Sequence, residues 1–248
     1  MALVSKTPAP EPAPPPRKRA AVKRRGGQDR GEAILRKAID YFAHHGFTAN
    51  TRNLAKELGV SQSLLYRYFP SKQALIRQVH QEIYVGRWRP GWETLVADRA
   101  LSLHERLTRY YLDYASVMLQ SDWVRILVYA GLEHEDIHEG FFKIQIERIL
   151  SPVLRECVAE FAPAAEAAFA TEDYSLEIEL VWALHASIFY IGMRKWVYRT
   201  HTPPDVGQTI ALLVTSFLEG MRSRLRTRHA LAQPMALAGR HPGRREHG

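Results

Sequence analysis

Within six residues, Gln62-Ser63-Leu64-Leu65-Tyr66-Arg67, the chain sets amide, hydroxyl, phenol and guanidinium groups side by side. At helical spacing Gln62, Ser63, Tyr66 and Arg67 share one face. The chemistry such a face can do is recognition of nucleic-acid edges: Gln62 can pair bidentately with adenine and Arg67 with guanine, while Leu64 can touch thymine methyl groups. Tyr66 and Tyr68 have the reach for phosphates, and Lys72, beside the open N–H groups of a following helix, can hold a phosphate without reading sequence. A second constellation, His134-Glu135-Asp136-Ile137-His138, fits H-E-x-x-H, in which two histidines one helical turn apart bind zinc and the glutamate acts as base. With eleven histidines in the chain this pattern arises easily by chance. It also falls where two helices are expected to join, with Gly140 close behind. The expectation is therefore no metal, His134 and His138 being the only candidate ligands, and a solvated acidic turn.

The elements that would hold the first constellation follow from local signals. Asp29 and Glu32 have capping-box spacing and predict a helix start. Ile34, Leu35, Ala38, Ile39 and Phe42 form an apolar stripe that ends at Gly46, a left-handed cap with Phe47 tucked beneath it. Asn50 can cap a short second helix that turns Leu54, Ala55 and Leu58 inward and closes at Gly59. Val60 fills the turn, and Ser61 caps a third helix whose Leu65 and Phe69 continue the apolar face. Pro70 ends it, and Ser71 caps a fourth. Two short helices around a Gly-containing turn, the second with a hydrogen-bonding outer face, make a helix-turn-helix.

These residues resemble the DNA-binding domain of the TetR family of bacterial transcriptional regulators. The matching elements are Ile34-Leu35, Ala38 and Phe42, Gly46-Phe47, Leu54-Ala55, Gly59-Val60-Ser61, Leu65-Tyr66, Tyr68-Phe69 and Lys72 with Leu75. The link from Gly46 to Asn50 is one residue shorter than the usual pattern, and Tyr68 stands where many relatives have His. The resemblance implies an all-helical homodimer of about nine helices per chain, whose third helix enters the major groove and whose last two helices pair with those of a second copy. It places backbone contacts at Tyr66, Tyr68 and Lys72; together with the reading of the residues themselves, the expected DNA contacts are Arg52, Ser61, Gln62, Ser63, Leu64, Tyr66, Arg67, Tyr68 and Lys72.

Charge supports a polyanion partner. Of the net +8, residues 1–30 hold eight Lys/Arg against two acids and residues 221–248 seven against one. Residues 31–72 hold six against three, and the remainder is acidic. The first 28 residues, with Pro8, Pro10, Pro12 and Pro14-Pro15-Pro16 ahead of Arg17-Lys18-Arg19, cannot bury a core and are expected to be disordered. They would serve either as a basic arm along DNA or as a solvated leader. The single cysteine, Cys157, excludes an intrachain disulfide and fits a packed thiol. No run approaches about 18 consecutive apolar residues, so a soluble, cytoplasmic protein is expected.

After Lys72 the pattern stays helical: Lys72 to about Arg89, Leu101–Leu119, Asp122–Leu132, His138–Phe161 with Pro152 as a kink, Glu172–Arg199 and Pro204 to about Arg228. The expected organisation is a disordered basic tail (1–28), a helix-turn-helix domain (29–75), an all-α effector-binding and dimerisation domain (76–228) and a second disordered basic tail (229–248). Trp182, Ser187, Ile191, Leu212, Thr215, Phe217 and Met221 are candidate interface residues. An apolar or aromatic ligand would draw its walls from Trp88, Tyr111, Tyr114, Met118, Trp123, Phe141, Phe142, Trp182, His185 and Phe189. There is no Gly-rich phosphate loop, Gly-x-Ser-x-Gly elbow or paired CxxC, so neither an enzyme nor a cofactor is expected. The sequence reads as a ligand-released, homodimeric repressor on a palindromic operator. The alternative is an architectural factor, or a repressor without an effector whose second domain serves dimerisation or a protein partner.

Overall fold

The computed structural model describes the backbone of residues 18–48, 50–133 and 135–238, and the side chains of 29–48, 50–133 and 140–228. The described residues form eleven α-helices and no strand: α1 Lys18–His45, α2 Thr51–Glu57, α3 Gln62–Tyr68, α4 Lys72–His80, α5 Gly91–Ala97, α6 Leu103–Met118, α7 Ser121–Glu133, α8 Glu135–Gln145, α9 Ser151–Phe161, α10 Ser175–Met193 and α11 Val206–Ala238. The expected all-α class holds.

The expected cap signals act where they were read. Asn50 Oδ1 accepts from the Arg52 N–H at 2.8 Å, Ser61 Oγ from Leu64 at 3.2 Å and Ser71 Oγ from Ala74 at 3.0 Å, each satisfying a donor left open at a helix start. Gly46 and Gly59 take φ of 71° and 68°, the left-handed region that ends α1 and the α2 turn. At Gly46 a β-carbon would also stand 2.8 Å from Glu133 and 3.0 Å from Tyr129, so α7 approaches a position where only hydrogen fits. Ile34, Ala38, Ile39, Phe42, Phe47, Leu54, Leu65, Phe69 and Leu75 are buried, giving the small unit its own core.

Four boundaries differ from expectation. Helix α1 runs from Lys18, so Asp29 lies inside it rather than capping it; Ala, Lys and Arg before Asp29 are good helix formers and carry the helix upstream. The helix expected from Lys72 to about Arg89 ends at Val85, and a short helix that was not expected follows: Pro90 is the N-cap position of α5, where a missing N–H costs nothing, and Trp92 and Val96, one turn apart, are its buried face. The predicted His138–Phe161 helix is split by a π-turn, Ile146–Leu150, immediately before Pro152, whose absent N–H frees the carbonyl ladder to widen. The extra α5 and this split account for eleven helices instead of nine. Finally, α11 continues to Ala238, ten residues past the expected end, because no helix stop signal occurs at Arg228. Of the tails expected to be disordered at 1–28 and 229–248, residues 18–28 and 229–238 are helical instead, and 1–17 and 239–248 lie outside the described residues.

Beyond α4 the helices make one bundle, with α10 packed on α6, α7, α9 and α11. The stretch Ser175–Tyr198 is long and apolar enough, with mean hydropathy 1.3, to meet the length and composition of a membrane span. Its Glu177 carboxylate, fully buried, accepts from Arg224 and Arg228 of α11 at 2.8 and 3.1 Å, as befits the core helix of a bundle. A second buried network joins α5, α6 and α9: Arg106, 3% exposed, donates to the Val96 carbonyl and to Glu156, which also receives Arg99. Burial pushes the Glu156 carboxyl up, but hydrogen bonds from Arg99 and Arg106 together with their charges outweigh it and hold the pKa below its ordinary value. Cys157 is buried beside them, and burial pushes its thiol pKa up, which leaves it unreactive.

Candidate functional site

Helix α3 presents Gln62, Ser63, Tyr66 and Arg67 to solvent on one face, with Leu65 turned inward at 2% exposure. Ser61 is exposed at the cap, and Leu64 is half-buried at the edge of the face. On α2, Arg52 is exposed, and Thr51 at its start receives two bonds from α3: Tyr66 Oη at 3.2 Å and Gln62 Nε2 at 3.4 Å. Hydrogen bonding with Thr51, and then with Gln62, lowers the Tyr66 pKa. Two of the residues expected to touch DNA are thus gathered on one hydroxyl. Its partnership with α3 was not foreseen, although a Thr next to the Asn50 cap is a legible sign of a second hydroxyl at that helix start.

Tyr68 is not a free arm. Its ring is half-buried, with its Cδ1 3.2 Å from where a β-carbon on Gly31 would stand, and the Arg67 guanidinium lies over it at 5.5 Å from the ring centre. Packing and contact therefore compete for Tyr68. Lys72 is half-buried in the first turn of α4, next to the Ser71 cap. The reading face spans α2, α3 and the start of α4, with its hydrogen-bonding groups on one surface.

The small unit is tied to the bundle at the end of α1. Glu133 Oε2 accepts from the Phe47 N–H at 2.9 Å, and Arg125 on α7 donates to the Ala43 carbonyl and to the Trp196 carbonyl. These bonds satisfy the backbone groups that a helix end leaves open.

A cleft of about 580 Å³ opens between α4 with its π-turn extension and α8, lined by Arg77, His80, Gln81, Tyr84, Val85, Trp88, Pro90, Gly140, Phe141, Ile144 and Arg148. Of the ten expected wall residues it includes Trp88 and Phe141. Tyr111, Tyr114, Met118 and Trp123 are fully buried, His185 is buried, Trp182 and Phe189 are half-buried, and Phe142 is partly exposed. Most of them form a packed aromatic network behind the cleft: Tyr84 meets Phe141 at 4.8 Å and Trp123 at 6.0 Å, Trp123 meets Phe189 at 5.9 Å, and Phe142 meets Trp182 at 6.0 Å. Burial holds the His185 pKa at about 4, and its Nε2 lies 3.3 Å from the Tyr114 hydroxyl. The cleft wall had a sequence signal that went unread: Arg77, Gln81, Tyr84 and Trp88 recur at steps of four, three and four, one stripe of a helix. His134 and the side chain of His138 lie outside the described residues; the backbone puts the motif at the junction of α7, ending at Glu133, and α8, starting at Glu135.

Among the expected interface residues, Ile191 and Met221 are buried within the chain's own core. Leu212 and Ser187 are exposed, and Trp182, Thr215 and Phe217 half-buried.

The family model described as bacterial regulatory proteins, tetR family, matches residues 34–79. The N-terminal unit of this chain is a TetR-family domain. That domain is of the helix-turn-helix, DNA-binding type. An uncharacterized HTH-type transcriptional regulator of Bacillus subtilis, YerO, is 26% identical over 127 residues, covering 48% of this chain and 43% of that protein. The match thus spans less than half the length of this relative. Two solved structures share the fold. One is a TetR family transcriptional regulator from Pseudomonas syringae, with TM-score 0.53 and 19% identity over 77% of this chain and 93% of that one. The other is described as a TetR-family regulator from Mesorhizobium loti, with TM-score 0.50 and 12% identity over 78% of this chain and 96% of that one. At these identities the TetR likeness outside residues 34–79 is one of fold.

Proposed function

We propose that the protein is a homodimeric transcriptional repressor that binds a palindromic operator through α3 and is released by a small apolar or aromatic ligand. The observation that carries this reading is the place of the cleft: one of its walls is α4, whose first turn abuts the reading face. In this reading the chain divides near residue 75 into a reader and a helical effector and dimerisation region. Gln62, Ser63, Leu64 and Arg67 meet base edges, and Arg52, Ser61, Tyr66, Tyr68 and Lys72 hold the backbone. One α3 helix contacts few base pairs, and two half-sites about one DNA turn apart multiply the discrimination. Support for pairing comes from α10 and α11, which leave Leu176, Leu180, Tyr190 and Leu212 between 38% and 66% exposed. Such large side chains in water are the material of an interface.

A ligand in the cleft would favour one setting of α4 over another, and it releases DNA only if it binds the two settings with different affinity. Gel shifts with the operator test the docking: Tyr66→Ala and Lys72→Ala should each weaken binding while leaving the helical content unchanged. Wild-type affinity in both variants would contradict the proposed docking. A screen for compounds that change operator affinity tests release.

A further inference from the structure

Among the described residues, the charged side chains that line the cleft beside α4 are of one sign. Arg77 and Arg148 stand on its walls, and none of the described residues lining it is Asp or Glu. Arg148 is engaged: its Nη1 donates to Glu93 Oε1 at 3.2 Å, and the same oxygen accepts from Trp88 Nε1 at 3.3 Å. Arg77 is different. It makes no hydrogen bond or ion pair with any described residue, yet it faces a cleft whose other described lining residues are mostly apolar or aromatic, Tyr84, Val85, Trp88, Phe141 and Ile144 among them, with His80 and Gln81 as the further polar ones.

We propose that this cleft takes an amphipathic organic anion, a carboxylate on an aromatic or medium-length alkyl body, with the carboxylate on Arg77 and the body against Trp88, Phe141 and Ile144. The proposal rests on the effector reading above and specifies its ligand class. A guanidinium presents a planar fork that matches a carboxylate with two parallel hydrogen bonds, and the apolar wall beside it accepts the part of the molecule that water disfavours. A cationic ligand would have to enter beside a guanidinium with no counter-charge among the described lining residues. A long polyanion would leave the aromatic wall unused. The volume of about 580 Å³ falls within the roughly 300–1,000 Å³ of small-molecule sites. Arg77 also lies on the helix that begins at the reading face, so an anion held between Arg77 and the α8 residues Phe141 and Ile144 would bridge α4 to α8.

The test is calorimetric titration of the full-length chain with 2-naphthoate and decanoate against their neutral amides, 2-naphthamide and decanamide. Each acid should bind about tenfold or more tightly than its amide, the usual scale for a hydrogen-bonded charge pair. Arg77→Met should erase that preference while changing the affinity of the amides by less than about twofold, and Arg77→Lys should restore part of it. Circular dichroism melting of each variant separates a lost contact from a lost fold. Equal binding of acids and amides, an acid preference that survives Arg77→Met, or no binding by any of the four compounds would overturn the proposal. In those cases release of operator DNA by a neutral or cationic compound would keep the effector reading and refute only the ligand class. If compounds of every charge leave operator affinity unchanged, the effector reading itself fails.

Discussion

The reader and the bundle handle polar groups in opposite ways. In α1–α4 the caps are short and local, Asn50, Ser61 and Ser71 each capping the helix they precede, and Gln62, Arg67 and Arg52 are exposed. The bonds that span helices there, from Gln62 and Tyr66 to Thr51 and from Lys37 to the Leu58 carbonyl, are exposed or half-buried. In α5–α11 polar groups go inward and act across the chain. Arg106 reaches Glu156 fifty residues away, Glu177 holds two arginines of α11, and His185 is buried against Tyr114. The difference teaches where each region keeps freedom. A surface that must meet a charged partner keeps its donors solvated and relies on caps for shape, whereas the bundle fixes the relative position of distant helices with buried charge.

The contrast can be broken from the bundle side first. Glu156→Ala would leave Arg106 buried without its carboxylate and should cost about 3–5 kcal/mol in urea unfolding. A loss under 1 kcal/mol would mean that the network is ornament. The next effect concerns His185, whose pKa is depressed by burial from 6.5 to about 4. The unfolded chain binds the extra proton in that window, so this contribution is fully present above pH 6.5 and is lost as pH falls toward 4. Between pH 6.5 and 5 it amounts to about 2 kcal/mol. Unfolding of the wild type and of His185→Gln at both pH values isolates it; identical slopes for the two proteins would contradict the assignment. The smallest effect lies in the reader. Ser61→Ala should cost about 1 kcal/mol, the worth of one cap, with no dependence on changes in the bundle.

Much of the reader was legible in the sequence because its determinants are local. Gly46, Asn50, Gly59, Ser61 and Ser71 each act within four residues of their own position, and pattern reading captures that range. The bundle was legible as helices but not as a site. Its aromatic residues were legible as a pool, yet which of Trp88, Tyr111, Trp123 and Phe141 would face a cleft depends on how α4 and α8 approach each other. No spacing within one helix encodes that approach. The split of α8 and α9 is intermediate: Pro152 announced an irregularity, and the chain met it with a π-turn. Helix α5 was not legible because a proline that ends one helix can also start the next with no penalty. Thr51 escaped notice because its role lies in bonds to α3, eleven and fifteen residues on.

The central claim, that α3 reads DNA sequence, is tested most directly by selecting duplexes from a random library with the full-length chain and with Gln62→Ala/Arg67→Ala. The account predicts an enriched inverted repeat with half-sites about one DNA turn apart. The double variant should lose preference at the adenine and guanine positions by about 1–3 kcal/mol each while keeping nonspecific, salt-dependent binding. No enriched sequence with the wild type, or the same preference in the variant, would contradict it.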